Sequence, residues 1–282
     1  MAQDLSKTER QADDTQTYPI LDPASRSEEL GSLCALAVMA KAPRAGKVKT
    51  RLSPTLTLAQ SAALNICFLR DTTRNIADVA ESGLADGLIC YTPVGDEIAF
   101  AGLLPDGFSL IPQRGEAFGV RLLSAVEDIL ACGYGAVCLI DSDSPTLPAG
   151  ALRQAVEELG RPGDRVVLGG SDDGGYYLIG LKAAHSAPFE GINWSTGSVY
   201  AETVERIRAA QLELVELPLW YDVDEVTTLA RLEAELLEGH RPDFASIDGY
   251  HAHRTAEFLV ELKRATDSDF TVQSGHAMKD TK

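Results

Sequence analysis

The chain has 282 residues, enough for one large domain or two small ones, and its 45% apolar and 24% charged residues are those of an ordinary soluble globular protein. A net charge of −17 excludes a nucleic-acid backbone as the natural partner, because phosphate contacts need clustered Lys and Arg. No apolar run approaches the roughly 18 residues needed to span a bilayer. The polar N-terminus is no secretory signal, so a cytoplasmic location is expected. The five cysteines are scattered, odd in number and without a CxxC pair, which reads as buried free thiols.

Residues 1–31 and 265–282 lack periodic apolar positions and read as disordered tails, leaving a single domain over 32–264. Within it, the continuous apolar run at 33–39 reads as a strand covered on both faces. A helix follows over 58–80, where Leu58, Ala62, Leu69, Ile76 and Val79 recur at helical spacing. Strands are expected at 87–91 and, more weakly patterned, at 108–111. Phe118, Leu122, Val126 and Ile129 lie on one helical face, with Gly133 as the stop. Next come a strand at 136–140, a helix at 147–159 with Pro148 in its first turn, and strands at 165–168 and 176–181. A helix at 199–210, a strand at 212–217 and a helix at 226–237 complete the order. The alternation predicts an α/β domain with a Rossmann-like, mostly parallel sheet flanked by helices. Ligands of such sheets bind beyond the carboxyl ends of the strands, and the polar motifs fall there.

The loop "AKAPRAGKVKTRLSP" after the first strand carries Lys41, Arg44, Lys47, Lys49 and Arg51, five of the chain's 25 basic residues. Ala45 and Gly46 allow close backbone approach to an anion, so a nucleotide phosphate fits; a solvated basic loop is the plainer reading. The spacing is neither a Walker A loop nor GxGxxG. In "DSDSPTLP", Asp141 and Asp143 follow a strand two residues apart. They suit one hard divalent ion, Mg²⁺ or Mn²⁺, bound together with substrate phosphate; alternatively, Ser144 or Asp143 caps the next helix. "GGSDDGGYYLIGL" places Asp172 and Asp173 before Gly174 and Gly175, either a ligand-facing turn or an Asp-Gly hairpin. "WYDVDEVTTL" repeats an Asp-x-Asp at a strand-to-helix junction with Asp222 and Asp224, as a further metal carboxylate or as a helix cap. Trp194, Ser195 and Thr196 precede a helix and could contact an acceptor or cap that helix. His251 and His253 suggest a metal only weakly, and a solvated turn is the simpler reading.

Together "KAPRAGKVKTRL", "DSDSPTLP", "DGGYYLIGL", "WST" and "YDVDEVTTLARL" resemble the bacterial DUF2064 group of GT-A-fold, glycosyltransferase-like proteins associated with radical-SAM and arsenosugar gene sets. The resemblance covers about residues 33–237. It is more distantly similar to nucleotidylyltransferases of the same superfamily. It implies a GT-A, nucleotide-diphospho-sugar transferase fold. By position, it implies that Gly46, Lys49 and Arg51, beside Lys41, hold nucleotide phosphates. Asp143 and Asp224, with Asp141, match metal ligands. Asp173, Gly174 and Gly175 match the turn near the acceptor, where Trp194, Ser195 and Thr196 also belong. If the transfer inverts the sugar it needs a base for the acceptor hydroxyl, and Asp173 is the candidate. The expected reaction is metal-dependent glycosyl transfer from a nucleotide-diphosphate sugar to a small molecule. The alternatives are nucleotidyl transfer from an NTP to a phosphorylated acceptor, and a non-catalytic nucleotide-binding module.

Overall fold

The structure, a computed structural model, describes residues 17–277. Its centre is a seven-stranded sheet in the order β3-β2-β1-β4-β6-β5-β7. In chain order the elements are β1 (Cys34–Lys41), α1 (Leu58–Ala80), β2 (Ala85–Thr92), β3 (Ser109–Pro112), α2 (Phe118–Cys132), β4 (Ala136–Ile140) and α3 (Ala149–Gly160). Then come β5 (Arg165–Ser171), β6 (Tyr176–Leu181), α4 (Val199–Ala209), β7 (Glu213–Trp220), α5 (Val226–Glu238) and α6 (His253–Ala277). All neighbouring strands are parallel except β6, which runs antiparallel to both β4 and β5.

The continuous apolar runs become strands buried on both faces, as in β4 and β5. One core packs Phe68, Leu69 and Ile76 of α1, Leu152 of α3, Leu229 and Leu232 of α5 and Leu259 of α6 against the sheet. The other packs Leu122, Val126 and Ile129 of α2 with Val204 and Ile207 of α4 on the opposite face. Helix ends follow local chemistry. Thr57 and Gln60 form a capping box that starts α1. Gly133, at φ 118°, stops α2 in a left-handed conformation that costs a glycine little.

Two segments differ from expectation. Residues 17–31, whose polar composition reads as tail, lie against the domain where they are described. Tyr18 is buried, its hydroxyl donates to the Leu104 carbonyl at 2.7 Å, and the backbone around Ile20 bridges Leu110 of β3. One satisfied phenol and a few backbone bonds anchor this stretch without any periodic pattern. Residues 1–16 and 278–282 of the expected tails lie outside the described residues. At the other end, α6 continues to Ala277, past the expected boundary at 264. It starts at His253, and it is capped from another element. The buried Asp71 carboxylate of α1 accepts the backbone N–H groups of Arg254 (3.0 Å) and Thr255 (2.8 Å) and the Thr255 hydroxyl (2.6 Å). The His251 and His253 rings stack 4.2 Å apart, and both residues are exposed.

β1 lies between β2 and β4, so the chain leaves it in opposite directions along the sheet. A crevice opens at such a switch point, beyond the carboxyl ends of β1 and β4. The basic loop follows β1 and the "DSDSP" turn follows β4.

Candidate active site

A cavity of about 480 Å³ fills this crevice, lined among others by Asp141, Asp143, Asp173, Asp222 and Asp224 with Arg51. Its far wall is aromatic. Trp194 meets Phe118 edge-on at 5.0 Å and Tyr176 at 6.3 Å. A second recess of about 290 Å³ is lined by Lys41, Lys47, Lys49, Asn65, Gln113 and Arg121. The two share Met39, Phe118, Ser142, Asp143 and Asp224, so they form one site with a basic end and an acidic, aromatic end.

Lys49 joins the two ends. Its backbone is left-handed, at φ 49°, and this turns the side chain inward. The ammonium is 2.8 Å from Asp143 Oδ1, 2.9 Å from Asp224 Oδ1 and 2.7 Å from the Val223 carbonyl, and its side chain is only 3% exposed. Burial alone would lower the Lys49 pKa, but the charges of Asp143 and Asp224 outweigh it and raise it. Arg51, mostly exposed, approaches the other oxygen of Asp224 at 3.8 Å. The helix-cap readings of the two acidic turns do not hold. Pro148 occupies the N-cap of α3 and Glu225 that of α5. Asp143 and Asp224 turn to Lys49 instead, and the Ser144 hydroxyl donates to Asp141 Oδ2 at 2.8 Å.

The remaining carboxylates are under-compensated. Burial pushes Asp141 well above the usual carboxylate range, and the Asp143 and Asp222 charges push it further. Asp222 rises to about 7, through burial first and then the charges of Asp173, Asp224 and Asp143. The Ser171 hydroxyl donates to it at 3.3 Å. Asp222 appears in the Asp-x-Asp motif, but motif reasoning gave it no role of its own. Its distinction is crowding by carboxylates from β5–β6 and β4, which no local pattern carries.

Hard carboxylate oxygens suit Mg²⁺ or Mn²⁺, so the donor type fits the expected ion. Among the described residues, however, no three His, Cys, Asp or Glu side chains converge closely enough to cage one. Lys49 stands between two of the three expected ligands, and Asp141 is held by Ser144.

The turn at Asp173–Gly175 is the hairpin that the sequence allowed, joining β5 and β6, and it lies at the cavity. Asp173 Oδ1 accepts the Gly175 N–H at 2.8 Å. Gly174 sits at φ 90°, directly against Gly197 of the Trp194–Gly197 loop. In that loop Trp194, Ser195 and Thr196 line the cavity, and Trp194 packs over Gly119, where a Cβ would meet its Nε1 at 2.8 Å. Gly46 is left-handed at φ 74° and shapes the basic loop, and Lys41 is exposed at the recess. Arg121, in the first turn of α2, is a recess cation outside every sequence motif. Among the described residues Lys41, Lys47 and Arg121 have no carboxylate partner, and the buried Arg121 Nε donates to nothing. The Tyr176 hydroxyl, also buried, has no hydrogen-bond partner among the described residues.

Residues 75–196 match the family model described as an uncharacterized protein conserved in bacteria (DUF2064). The chain is 31% identical to a candidate nucleotide-diphospho-sugar transferase from Desulfovibrio desulfuricans G20, at a TM-score of 0.68, covering 82% of this chain and 95% of that one. CMP:2-keto-3-deoxy-manno-octonic acid synthetase, solved with CTP, is 12% identical over 74% of this chain and all of that one, at 0.48. Glucosyl-3-phosphoglycerate synthase from Mycobacterium tuberculosis, solved with Mn²⁺, UDP and glucosyl-3-phosphoglycerate, is 9% identical at 0.43, covering 75% and 79%. These last two are too distant to carry a functional argument. No curated protein matches the chain. No helix among the described residues is long and apolar enough to cross a membrane. The fold is that of the nucleotide-diphospho-sugar transferases, and the chain belongs to the DUF2064 family.

Proposed function

We propose that the protein transfers a glycosyl group from a nucleotide-diphosphate sugar to a small acceptor that carries no phosphate. The observation that carries this reading is the polarity of the site. Lys41, Lys47, Lys49 and Arg121 surround the recess, whereas the opposite end presents Asp173, Asp222, Tyr176, Trp194 and Thr196. A diphosphate suits the first end. A hydroxylated acceptor with an apolar face suits the second, through an aromatic wall and two carboxylates.

Lys41 and Arg121 attract the donor phosphates, and the backbone at Gly46 leaves room for them. Arg51, beside Asp224 where the two ends meet, would neutralise charge on the departing diphosphate. Asp173 takes the proton of the acceptor hydroxyl, with Trp194, Ser195 and Thr196 orienting the acceptor. Asp143 and Asp224, with Asp141, would hold Mg²⁺ or Mn²⁺, which supplies further neutralisation of the leaving group.

Nucleotidyl transfer is the second reading. Lys41, Lys47 and Arg121 of the recess would suit a triphosphate. Its acceptor would bring a phosphate to the acidic end, against the Asp173 carboxylate, and this favours glycosyl transfer. A thermal-shift panel of nucleotide sugars, nucleoside diphosphates and NTPs, with and without Mg²⁺ or Mn²⁺, tests the assignment. A ligand at 100 times its dissociation constant adds about 2.7 kcal/mol, or roughly 5–10 °C here. Selective stabilisation by one nucleotide sugar and its diphosphate is expected. Selective stabilisation by an NTP overturns glycosyl transfer, and no shift with any nucleotide leaves neither reaction supported.

A further inference from the structure

Lys49 is seated as a buried counter-ion. An ammonium has three hydrogens, and each has an acceptor here: Asp143 Oδ1, Asp224 Oδ1 and the Val223 carbonyl. None is left for a phosphate. The charge lies 5.4 Å from the centre of the Phe68 ring, in a position with almost no solvent. The sequence motif suggests a phosphate-binding lysine, yet this side chain occupies the space between two carboxylates that the family resemblance assigns to a divalent ion.

We propose that Lys49 and a divalent cation exclude one another at the Asp143–Asp224 pair. The ion then binds weakly until an anionic ligand in the neighbouring recess draws the ammonium away. Three features support exchange rather than joint occupancy. The ammonium holds one oxygen from each carboxylate. Arg51 already faces the second oxygen of Asp224, so a divalent ion added there would meet two positive charges at short range. The Lys49 stem also lines the recess where Lys41, Lys47 and Arg121 gather, and its four-carbon chain can swing from the carboxylates to an anion bound among them. The basic and acidic ends of the site would thus be coupled through one side chain. The inference rests on the proposed reaction only for the identity of the ion's ligands.

The test uses Mn²⁺ alone, titrated into the full chain without nucleotide and followed by the electron paramagnetic resonance signal of free Mn²⁺. Lys49→Met and Lys49→Gln should each bind Mn²⁺ about tenfold more tightly than wild type, or better, since the competing charge is gone. Adding Asp143→Asn to Lys49→Met should abolish that gain. Unchanged or weaker affinity in the single variants overturns the proposal. A second measurement needs only wild-type protein. Reductive methylation read by mass spectrometry should find Lys49 protected without metal and reactive once Mn²⁺ saturates the chain. Lys49 staying protected while Mn²⁺ is bound equally overturns it. Neither experiment contains a donor or acceptor, so both can fail while the transfer reaction stands, or succeed while it falls.

Discussion

Gly174→Ala tests how the β5–β6 turn is built. Gly174 lies at φ 90°, and a Cβ there would come within 2.1 Å of the Gly197 carbonyl oxygen, 2.6 Å of its carbon and 2.8 Å of its Cα. All three are backbone atoms, so no side chain can rotate aside. The Gly174 carbonyl also accepts the Tyr200 N–H at 2.8 Å, tying the hairpin to the first turn of α4. Gly83→Ala is the control, since Gly83 lies at φ 72° with nothing within 4 Å of its Cβ position. The control should lose only the left-handed strain, about 1–2 kcal/mol. Gly174→Ala adds displacement of the Trp194–Gly197 loop, for a total of about 3 kcal/mol or more. At roughly 2–4 °C per kcal/mol for a large domain, its Tm should fall by roughly 6–12 °C, well beyond the control. Thermal denaturation of the two variants side by side measures this. Equal losses would show that the hairpin and the Trp194 loop are not in contact, and would refute the described geometry of this end of the cavity.

Asp71→Ala should remove the three bonds that start α6 and leave their donors buried, a loss of about 3 kcal/mol in denaturant unfolding. A loss near zero would mean that α6 is capped otherwise. In the metal-free protein, Asp222 keeps its proton up to about pH 7 when folded but only to the ordinary carboxylate range when unfolded. The folded state therefore binds more protons between those values, and stability falls as pH rises from about 4 towards 7. Asp222→Asn should flatten that decline, and matching pH profiles of variant and wild type would contradict the crowding described. Asp173→Asn should lower kcat by about 10²-fold or more while donor affinity holds, the expectation for a general base. Equal loss of donor binding would assign Asp173 to the nucleotide instead.

Much of the sheet was legible because its strands are buried on both faces and write themselves as unbroken apolar runs. The limits expected for α1, β4 and β6 match the structure. The reversal of β6 was not legible from the run alone, since an apolar strand does not record its direction. The Asp-Gly turn before it did carry that information, as the hairpin reading shows. α6 escaped notice because its cap, Asp71, lies 184 residues before Thr255. The motifs located the cavity, because polar residues after parallel strands converge at the switch point. They did not reveal how the charges pair. That Lys49 would face Asp143 and Asp224 depends on a left-handed residue in the loop and on the nearness of the turns after β4 and β7. Asp222 and Arg121 went unassigned for the same reason, since what distinguishes them is contributed by distant segments.

Transfer of a sugar from a nucleotide diphosphate is read at its leaving group. The protein would be incubated with the nucleotide sugar that stabilises it, Mg²⁺ or Mn²⁺, and a panel of acceptors that includes phosphorylated and unphosphorylated members. Nucleoside diphosphate and pyrophosphate would be quantified separately, with a parallel incubation containing NTPs in place of the sugar donor. Glycosyl transfer requires nucleoside diphosphate released in step with glycosylation of an unphosphorylated acceptor, and no pyrophosphate from the NTP incubation. Pyrophosphate released from an NTP in step with nucleotidyl addition to a phosphorylated acceptor would contradict it.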